Sequence, residues 1–356
     1  MQPIPGPRPE ADRFAAGGIP HRALRAGGNE AVWICRSLRH ARRPCTGRAM
    51  SLFHDTVDFA EISAEVEAAA AWLESIGVRY APSRLGKYRK CLRRLRFAAG
   101  RGPQALRQAW SDTRIARMGV DIEEWTRIFR AFKDTTDPAI VDRLRVFIGG
   151  PESSDEEKIG APSNVARNVG FELGTAADLR LGGIDPDLAG LADLRCVVQD
   201  RDVFIECKRP WSENSVDDNI QDAMHQLKKR YAVAREPDRA RGVVALSVSR
   251  VLNPDGKRRN VQSLDDLDRM LEEAAEVFVY DFEARWQRPD DPRTIGAIVA
   301  LALPVYVEEI SQFIAARNFA LATPRHGPSP DNDLLREIIH RVSAGRYALR
   351  RGNPNL

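Results

Sequence analysis

Three charged positions on two short apolar segments mark the part of this chain that could carry chemistry. The segments 191–198 and 202–208 are apolar and lie close together, which is typical of two paired β-strands. Because alternate side chains of a strand face opposite sides, Glu206 and Lys208 share one face and Cys207 points to the other.

The turn between these strands determines which charges meet. A turn centred on Asp200-Arg201 predicts an antiparallel register with Asp193 opposite Lys208 and Arg195 opposite Glu206. Two carboxylates and an ammonium group are then expected in one small patch. The alternative is a structural cross-strand salt bridge.

A third carboxylate is predicted from a helix. Over 163–181 the pattern is helical, and one stripe of that helix reads Val165, Val169, Glu172, Ala176 and Leu179. Glu172 therefore lies on an otherwise apolar face, where a carboxylate needs a cation, a hydrogen-bond donor or a metal. An ion pair with Arg167 or Arg180 is the alternative explanation.

A magnesium ion accounts for such a cluster, because this hard cation binds carboxylate oxygens and keeps several waters. Manganese is expected to substitute for it. A lysine beside the ion could polarise a water or hold a phosphate, as phosphodiester hydrolysis requires.

The order Glu172, Asp193, Glu206-Cys207-Lys208 and Gln226, on an α-β-β-α-β background, resembles the PD-(D/E)XK, or restriction-endonuclease-like, nuclease superfamily. The resemblance covers roughly residues 160–250. It implies an α/β fold with a central mixed β-sheet flanked by helices.

The resemblance also implies roles for these residues. Asp193 and Glu206 would bind the metal together with the backbone carbonyl of Cys207, and Glu172 would assist the metal site from its helix. Lys208 would serve the attacking water, and Gln226 would support the site or the substrate.

The sequence departs from the family pattern at two places. The first motif reads Ala192-Asp193, whereas many members have Pro-Asp, and a literal Pro186-Asp187 lies six residues upstream. We favour Asp193 because its segment is apolar and can pair with the strand of Glu206. The helix motif from Gln226 to Tyr231 is one residue longer than the Gln-x-x-x-Tyr signature of some exonuclease branches.

Glu-x-Lys alone is a weak signal, because it also occurs at Glu156-Glu157-Lys158 in a polar segment. Lysine is nevertheless rare, with 8 lysines against 46 arginines, so Lys208 at the end of an apolar strand is notable. Gln226 only flanks the apolar stripe of its helix, so a structural role is equally compatible with the sequence.

The chain is expected to divide into four parts: a disordered basic leader (1–49), a helical domain (50–148), a linker (149–160) and the nuclease-like domain (161–350). Met50 is a candidate for the true start of translation. The predicted helices of the second part are 57–76, 83–99, 103–118, 121–133 and 138–147. In the last part we predict helices at 163–181, 216–235, 263–285 and 331–344 and strands at 191–198, 202–208, 242–249 and 295–307.

Charge and cysteine content limit the possible functions. The formal charge is +4, but the first 50 residues carry +6, so DNA binding has to rest on local patches. One such patch is helix 83–99, which contains seven basic and no acidic residues between 83 and 97; a solvated surface is the alternative. Five scattered cysteines and the absence of a long apolar run favour a cytoplasmic protein without a zinc site or membrane span.

We therefore expect a magnesium-dependent nuclease acting on DNA, in defence or repair. Two alternatives remain: an inactive relative that binds nucleic acid or protein, and a helical interaction protein in which Glu-x-Lys is accidental. The sequence does not decide whether the chain forms a homodimer.

Overall fold

The fold was analysed in a computed structural model of the 356-residue chain. The structure describes residues 50–53, 59–110, 113–152, 156–158, 160–161, 164–190, 192–287, 289–324 and 329–350. The predicted leader 1–49 lies outside the described residues. The described residues belong to one compact unit.

The helices and strands alternate after an initial helical region. The helices are α1 (Phe59–Ser75), α2 (Arg84–Gly100), α3 (Pro103–Trp110), α4 (Thr113–Phe132), α5 (Pro138–Phe147), α6 (Val165–Leu181), α7 (Val216–Val233), α8 (Ser249–Leu252), α9 (Leu264–Asp281), α10 (Glu283–Trp286) and α11 (Pro330–Arg350). The strands are β1 (Met50–Phe53), β2 (Leu194–Val198), β3 (Arg201–Lys208), β4 (Ala240–Ser247), β5 (Arg259–Val261), β6 (Thr294–Val307) and β7 (Gln312–Ala322).

Most predicted elements are present within a few residues of their expected ends, but the break between the third and fourth predicted helices is wrong. We predicted that one helix ends at 118 and the next begins at 121, whereas α4 is continuous from 113 to 132. Met118, Ile122 and Trp125 are all buried, so one apolar stripe continues through this region at helical spacing.

The region predicted to be entirely helical also begins with a strand. β1 pairs antiparallel with β7, from Met50 opposite Ala320 to Phe53 opposite Arg317. The sequence Met50–Phe53 has no strict alternation of apolar and polar residues, so it carries no strand pattern. The short strand β5 was missed for the same reason.

All seven strands form one mixed sheet in the order β1-β7-β6-β4-β3-β2, with β5 on β6. The pairs β3/β4, β4/β6 and β5/β6 are parallel, and β2/β3, β6/β7 and β1/β7 are antiparallel. Helices cover both faces: α6 packs in the apolar cluster with Val203 and Ile205, and α7 packs in the cluster with Phe204. The protein therefore has an α/β fold with a mixed central sheet flanked by helices.

The expected boundary between a helical domain and a nuclease-like domain does not divide the apolar packing. One buried cluster contains Trp125 of α4, Phe171 of α6 and Ile205 of β3. The ring of Trp125 stacks on Phe147 of α5 at a centroid distance of 5.5 Å. The early helices thus bury their apolar faces against α6 and the sheet.

The described residues bear on the predictions about cysteines and about membrane spans. Among the described residues, Cys196 and Cys207 are free thiols. Within the described part of the chain, no helix combines the length and apolar character needed to span a membrane.

The register of the β2/β3 hairpin differs from the predicted one. Leu194 lies opposite Ile205 and Val198 opposite Arg201, so the turn is formed by Gln199-Asp200, and not by Asp200-Arg201. Both turn residues have positive φ, 49° and 58°, as a two-residue type I′ turn requires. The register shifts by two residues, so every side chain keeps its predicted face.

This turn gives a first testable expectation. Asp200→Gly should raise the free energy of unfolding by roughly 0.5 kcal/mol, because glycine adopts positive φ more readily than aspartate. Arg201→Gly is the matched control: Arg201 lies in β3, and glycine should lower stability there by about 1 kcal/mol. Urea unfolding would measure both, and the opposite ranking would support the predicted turn over the observed one.

Candidate functional site

Asp193 lies at the end of the hairpin, immediately before β2. One step beyond the Leu194/Ile205 pair, the observed register places Asp193 level with Glu206, and not with Lys208 as predicted. Its Oδ2 accepts a hydrogen bond from the backbone N–H of Cys207 at 2.7 Å. The predicted pairing of Arg195 with Glu206 is also wrong, since Arg195 forms an ion pair with Asp202 at 2.7 Å.

Glu206 is an almost fully buried carboxylate on the α7 side of the sheet, with 1% of its side chain exposed. Its Oε1 accepts a hydrogen bond from Nε of Arg230 on α7 at 2.9 Å. Burial, and then the negative charge of Asp193, raise the pKa of Glu206 to about 7, against the opposing effect of Arg230. Glu206 is thus poised between its charged and neutral forms at neutral pH.

Lys208, two residues further along β3, is fixed by side chains of α7. Its Nζ donates to Oε1 of Gln226 at 2.8 Å and lies 3.4 Å from Oδ2 of Asp222. Gln226 therefore contacts Lys208 directly. The amide oxygen of Gln226 and the exposed carboxylate of Asp222 thus fix the position of the Lys208 ammonium group.

Glu172 approaches from α6, on the other side of the sheet. It forms an ion pair with Arg143 of α5, and 14% of its side chain is exposed. Burial, and then the charge of Asp193, raise the pKa of Glu172 to about 7, whereas Arg143 and Lys208 oppose this shift. Glu172 therefore lies within electrostatic reach of Asp193 and Lys208.

The alternative explanation for Glu172, an ion pair with Arg167 or Arg180, is wrong in its partners, because these arginines bind other acids. Arg167 pairs with Asp121 at 2.6 Å, and Arg180 lies 3.5 Å from Asp185.

The apolar stripe proposed for the helix of Glu172 is also only partly correct. Val165 at its start is 52% exposed, whereas Ala176 and Leu179 near its end are buried. The first turn of α6 therefore does not pack along that stripe.

Asp193 connects the site, because its charge contributes to the raised pKa of both Glu172 and Glu206. The predicted side chains Glu172, Asp193, Glu206, Lys208 and Gln226 lie around one end of the hairpin, but the carboxylates of Glu172, Asp193 and Glu206 do not converge into the predicted metal-binding group. Cys207 contributes its backbone to the site, while its side chain packs against the apolar cluster on the α6 side.

Three polar residues of the site were not identified from the sequence as part of it: Arg143, Asp222 and Arg230. Arg230 lies in the last turn of α7, where a basic residue commonly favours the helix C-terminus. It lies four positions after Gln226 on α7, so helical spacing could have placed it on the same face. Arg143 had no comparable signal, because only the packing of α5 brings it to Glu172.

The literal Pro-Asp motif has a different environment. Asp187 is exposed, and its Oδ1 accepts a hydrogen bond from the backbone N–H of Ala189 at 2.8 Å. Its backbone forms an isolated bridge with Arg195. Asp187 therefore serves the local backbone of the loop.

The oxygen donors can be assessed for a divalent cation. Among the described residues, no three or more His, Cys, Asp or Glu side chains converge closely enough to hold a metal ion by themselves. Magnesium, however, is commonly bound through one or two carboxylates, with water completing the shell. Asp193 and Glu206, side by side at the end of β3, fit that donor chemistry, and a cation would relieve the repulsion that raises the pKa of Glu206.

Comparisons of this chain with family models, with curated proteins and with solved structures give no significant match. The geometry of the site is therefore the basis for any assignment of function.

Proposed function

We propose that this protein is a metal-dependent nuclease that hydrolyses phosphodiester bonds of DNA, with a restriction-endonuclease-like core. The observation that carries the proposal is the position of Asp193 between two buried carboxyl groups of raised pKa, beside a lysine held by Gln226. Strong pKa perturbation by burial and a specific charge partner is typical of functional sites.

In this proposal Asp193 and Glu206 hold Mg²⁺ or Mn²⁺, with the Cys207 carbonyl as a further ligand. The ion would supply charge neutralisation at the scissile phosphate. Lys208 orients the attacking water or contacts the phosphate, and Gln226 fixes the position of its ammonium group. Glu172, near neutral pH, can accept or release a proton at the edge of the site.

A polyanionic substrate is supported by the surface of α2. Its exposed basic residues are Lys87, Lys90, Arg93, Arg94 and Arg96, and Arg101 follows directly after the helix. Phe97 is 69% exposed on the same helix, with the guanidinium of Arg101 5.9 Å from its ring centroid. Cationic side chains around an exposed aromatic ring suit phosphates and unstacked bases.

The test is cleavage of supercoiled and linear duplex DNA, single-stranded DNA and RNA with Mg²⁺, with Mn²⁺ and with EDTA. Wild-type protein should cut DNA only with a metal, and Lys208→Ala should reduce the rate about 10²-fold. Lys158→Ala is the matched control, because Lys158 belongs to the second Glu-x-Lys sequence but is exposed away from the strand.

This proposal fails if none of the four substrates is cut, or if Lys208→Ala and Lys158→Ala are equally active.

A fold-retaining relative that binds nucleic acid without cutting is the second candidate. It is favoured by one observation: Glu172 and Glu206 each already have an arginine partner, Arg143 and Arg230. It predicts DNA binding in EDTA and no change of melting temperature with Mg²⁺, whereas a metal site in the folded state should raise the melting temperature.

A further inference from the structure

A polar cavity lies beside the candidate site, between α4, α6 and the ends of several strands. It has a volume of about 230 Å³. Since one water needs roughly 10–15 Å³ of such space, it is large enough for a small organic ligand. Its wall includes Arg209 and Trp211, which follow β3, and Ser249, which follows β4.

Arginines dominate this cavity. The six that line it are Arg117, Arg127, Arg167, Arg209, Arg250 and Arg317, and the carboxylates that line it are Asp121, Glu123, Glu124 and Glu157. Six cations against four acids leave a formal excess of two positive charges.

Two further features affect this balance in opposite directions. Asp178, behind the cavity wall, binds Arg127 at 2.6 Å and lies 3.5 Å from Arg317, which removes one positive charge from the excess. Burial raises the pKa of Glu124, which acts in the opposite direction.

Three of the arginines that line the cavity carry buried N–H groups without a hydrogen-bond partner. They are Nε of Arg127, Nε of Arg167 and Nη1 of Arg317. The three residues are 3%, 6% and 7% exposed. Carboxylates of Glu123 and Glu157 lie 3.4 to 3.9 Å away, which gives charge pairing but no hydrogen bond. Buried guanidinium groups with unused donors are suited to an anion that enters the cavity.

The position within the fold supports a ligand site. β3, β4 and β6 are mutually parallel in the order β3-β4-β6, and the cavity lies where β3 and β4 end. Open α/β sheets bind ligands at the carboxyl ends of their strands. At the wall, the guanidinium of Arg250 stacks on Trp211 with its carbon 3.3 Å from the ring centroid. This stack gives the cavity a planar cationic surface.

We propose that this cavity binds a phosphate monoester of about nucleotide size. A phosphate monoester carries nearly two negative charges at neutral pH and offers three acceptor oxygens, which match the charge excess and the unused donors. The ester could belong to a free nucleotide or to the terminal phosphate of a nucleic-acid strand. The site is distinct from the carboxylate cluster of Asp193, so binding requires no metal.

The experiment is calorimetric titration and thermal denaturation in EDTA, with adenosine monophosphate, inorganic phosphate and adenosine as probes. Adenosine monophosphate should bind and raise the melting temperature, phosphate should bind more weakly, and adenosine should have no effect. Paired oligonucleotides with a 5′-phosphate or a 5′-hydroxyl test the second source: tighter binding of the phosphorylated strand assigns the site to strand ends.

Arg250→Gln and Arg117→Gln should each weaken binding of adenosine monophosphate at least about 10-fold, the loss of one charged hydrogen bond. Arg241→Gln is the matched control: its side chain is 15% exposed, against 19% for Arg250, and it is ion-paired to Asp331 away from the cavity. Lys208→Ala should bind normally, which separates this cavity from the proposed nuclease site.

The proposal is overturned if no phosphate-bearing probe binds wild-type protein in the millimolar range, or if Arg241→Gln weakens binding as much as Arg250→Gln. Binding that requires Mg²⁺ or is lost in Lys208→Ala would assign the phosphate to the nuclease site and overturn it as well. The proposed phosphate site does not depend on DNA cleavage, because these experiments measure binding and not turnover. A protein that cuts no DNA could therefore still confirm it.

Discussion

Asp193→Asn is expected to lower metal-dependent DNA cleavage by on the order of 10³-fold while it increases the stability of the folded protein above pH 7. The asparagine oxygen can still accept the hydrogen bond from the Cys207 N–H that Asp193 Oδ2 accepts at 2.7 Å. The substitution therefore removes a charge and keeps the local geometry.

The gain in stability follows from the two neighbouring carboxyls. The charge of Asp193 contributes to the raised pKa, about 7, of both Glu172 and Glu206. Without it, ionisation of these buried groups costs less, so the free energy of unfolding at pH 8 should rise by about 1 kcal/mol. At pH 5, where both groups are largely protonated, little of this gain remains.

Cleavage rates and urea unfolding at pH 5 and pH 8 measure both effects. Asp187→Asn is the control, since Asp187 is the aspartate of the literal Pro-Asp sequence and only caps the backbone at Ala189. It should keep wild-type activity. A stable but fully active Asp193→Asn protein would exclude Asp193 as a metal ligand. An inactive Asp187→Asn protein would show that the first carboxylate of the motif is Asp187 in the loop.

The α/β class and the relative placement of Glu206 and Lys208 could be predicted from the sequence, because both depend on short-range periodicity. Alternation along 202–208 assigned Glu206 and Lys208 to one face, and this assignment is independent of the exact register. The observed cross-strand register of β2 and β3 differs from the predicted one by two residues. The turn is formed by Gln199-Asp200, which adopt the positive φ values that a two-residue turn needs. Gln199-Asp200 contains neither a glycine nor an Asn-Gly pair, which are the usual sequence signals of positive φ in such a turn.

Features that depend on long-range packing could not be predicted. Arg143 reaches Glu172 across 29 positions of sequence, and only the packing of α5 on α6 creates that pair. β1 becomes recognisable as a strand only through its pairing with β7. The arginine-rich cavity likewise gathers residues from 117 to 317, none of which forms a motif along the chain.

Arg230→Met should lower the free energy of unfolding at pH 8 by roughly 3 kcal/mol, because it leaves a buried carboxylate without its partner. The Arg230 side chain is 23% exposed and Glu206 is 1% exposed, so water cannot replace the lost ion pair at Glu206. Methionine retains the apolar stem, which limits the change to the charge.

The effect should depend on pH in a defined direction. The pKa of Glu206 in the folded protein is about 7, above its ordinary value of 4.5, so the folded state binds the proton more tightly than the unfolded state. This group therefore favours folding most below pH 4.5, and its contribution is lost as pH rises through 7. Removal of Arg230 raises the folded pKa further, so the destabilisation should be small at pH 5 and largest at pH 8.

Urea unfolding of wild type, Arg230→Met, Glu206→Gln and the double variant would measure the coupling. Because the glutamine introduced by Glu206→Gln carries no charge, the double variant should recover most of the stability that Arg230→Met loses at pH 8. Arg285→Met is the control, since Arg285 pairs with Asp217 on the surface, where water screens the loss. Equal losses at pH 5 and pH 8, or no recovery in the double variant, would show that Arg230 stabilises the protein by packing and not through the charge of Glu206.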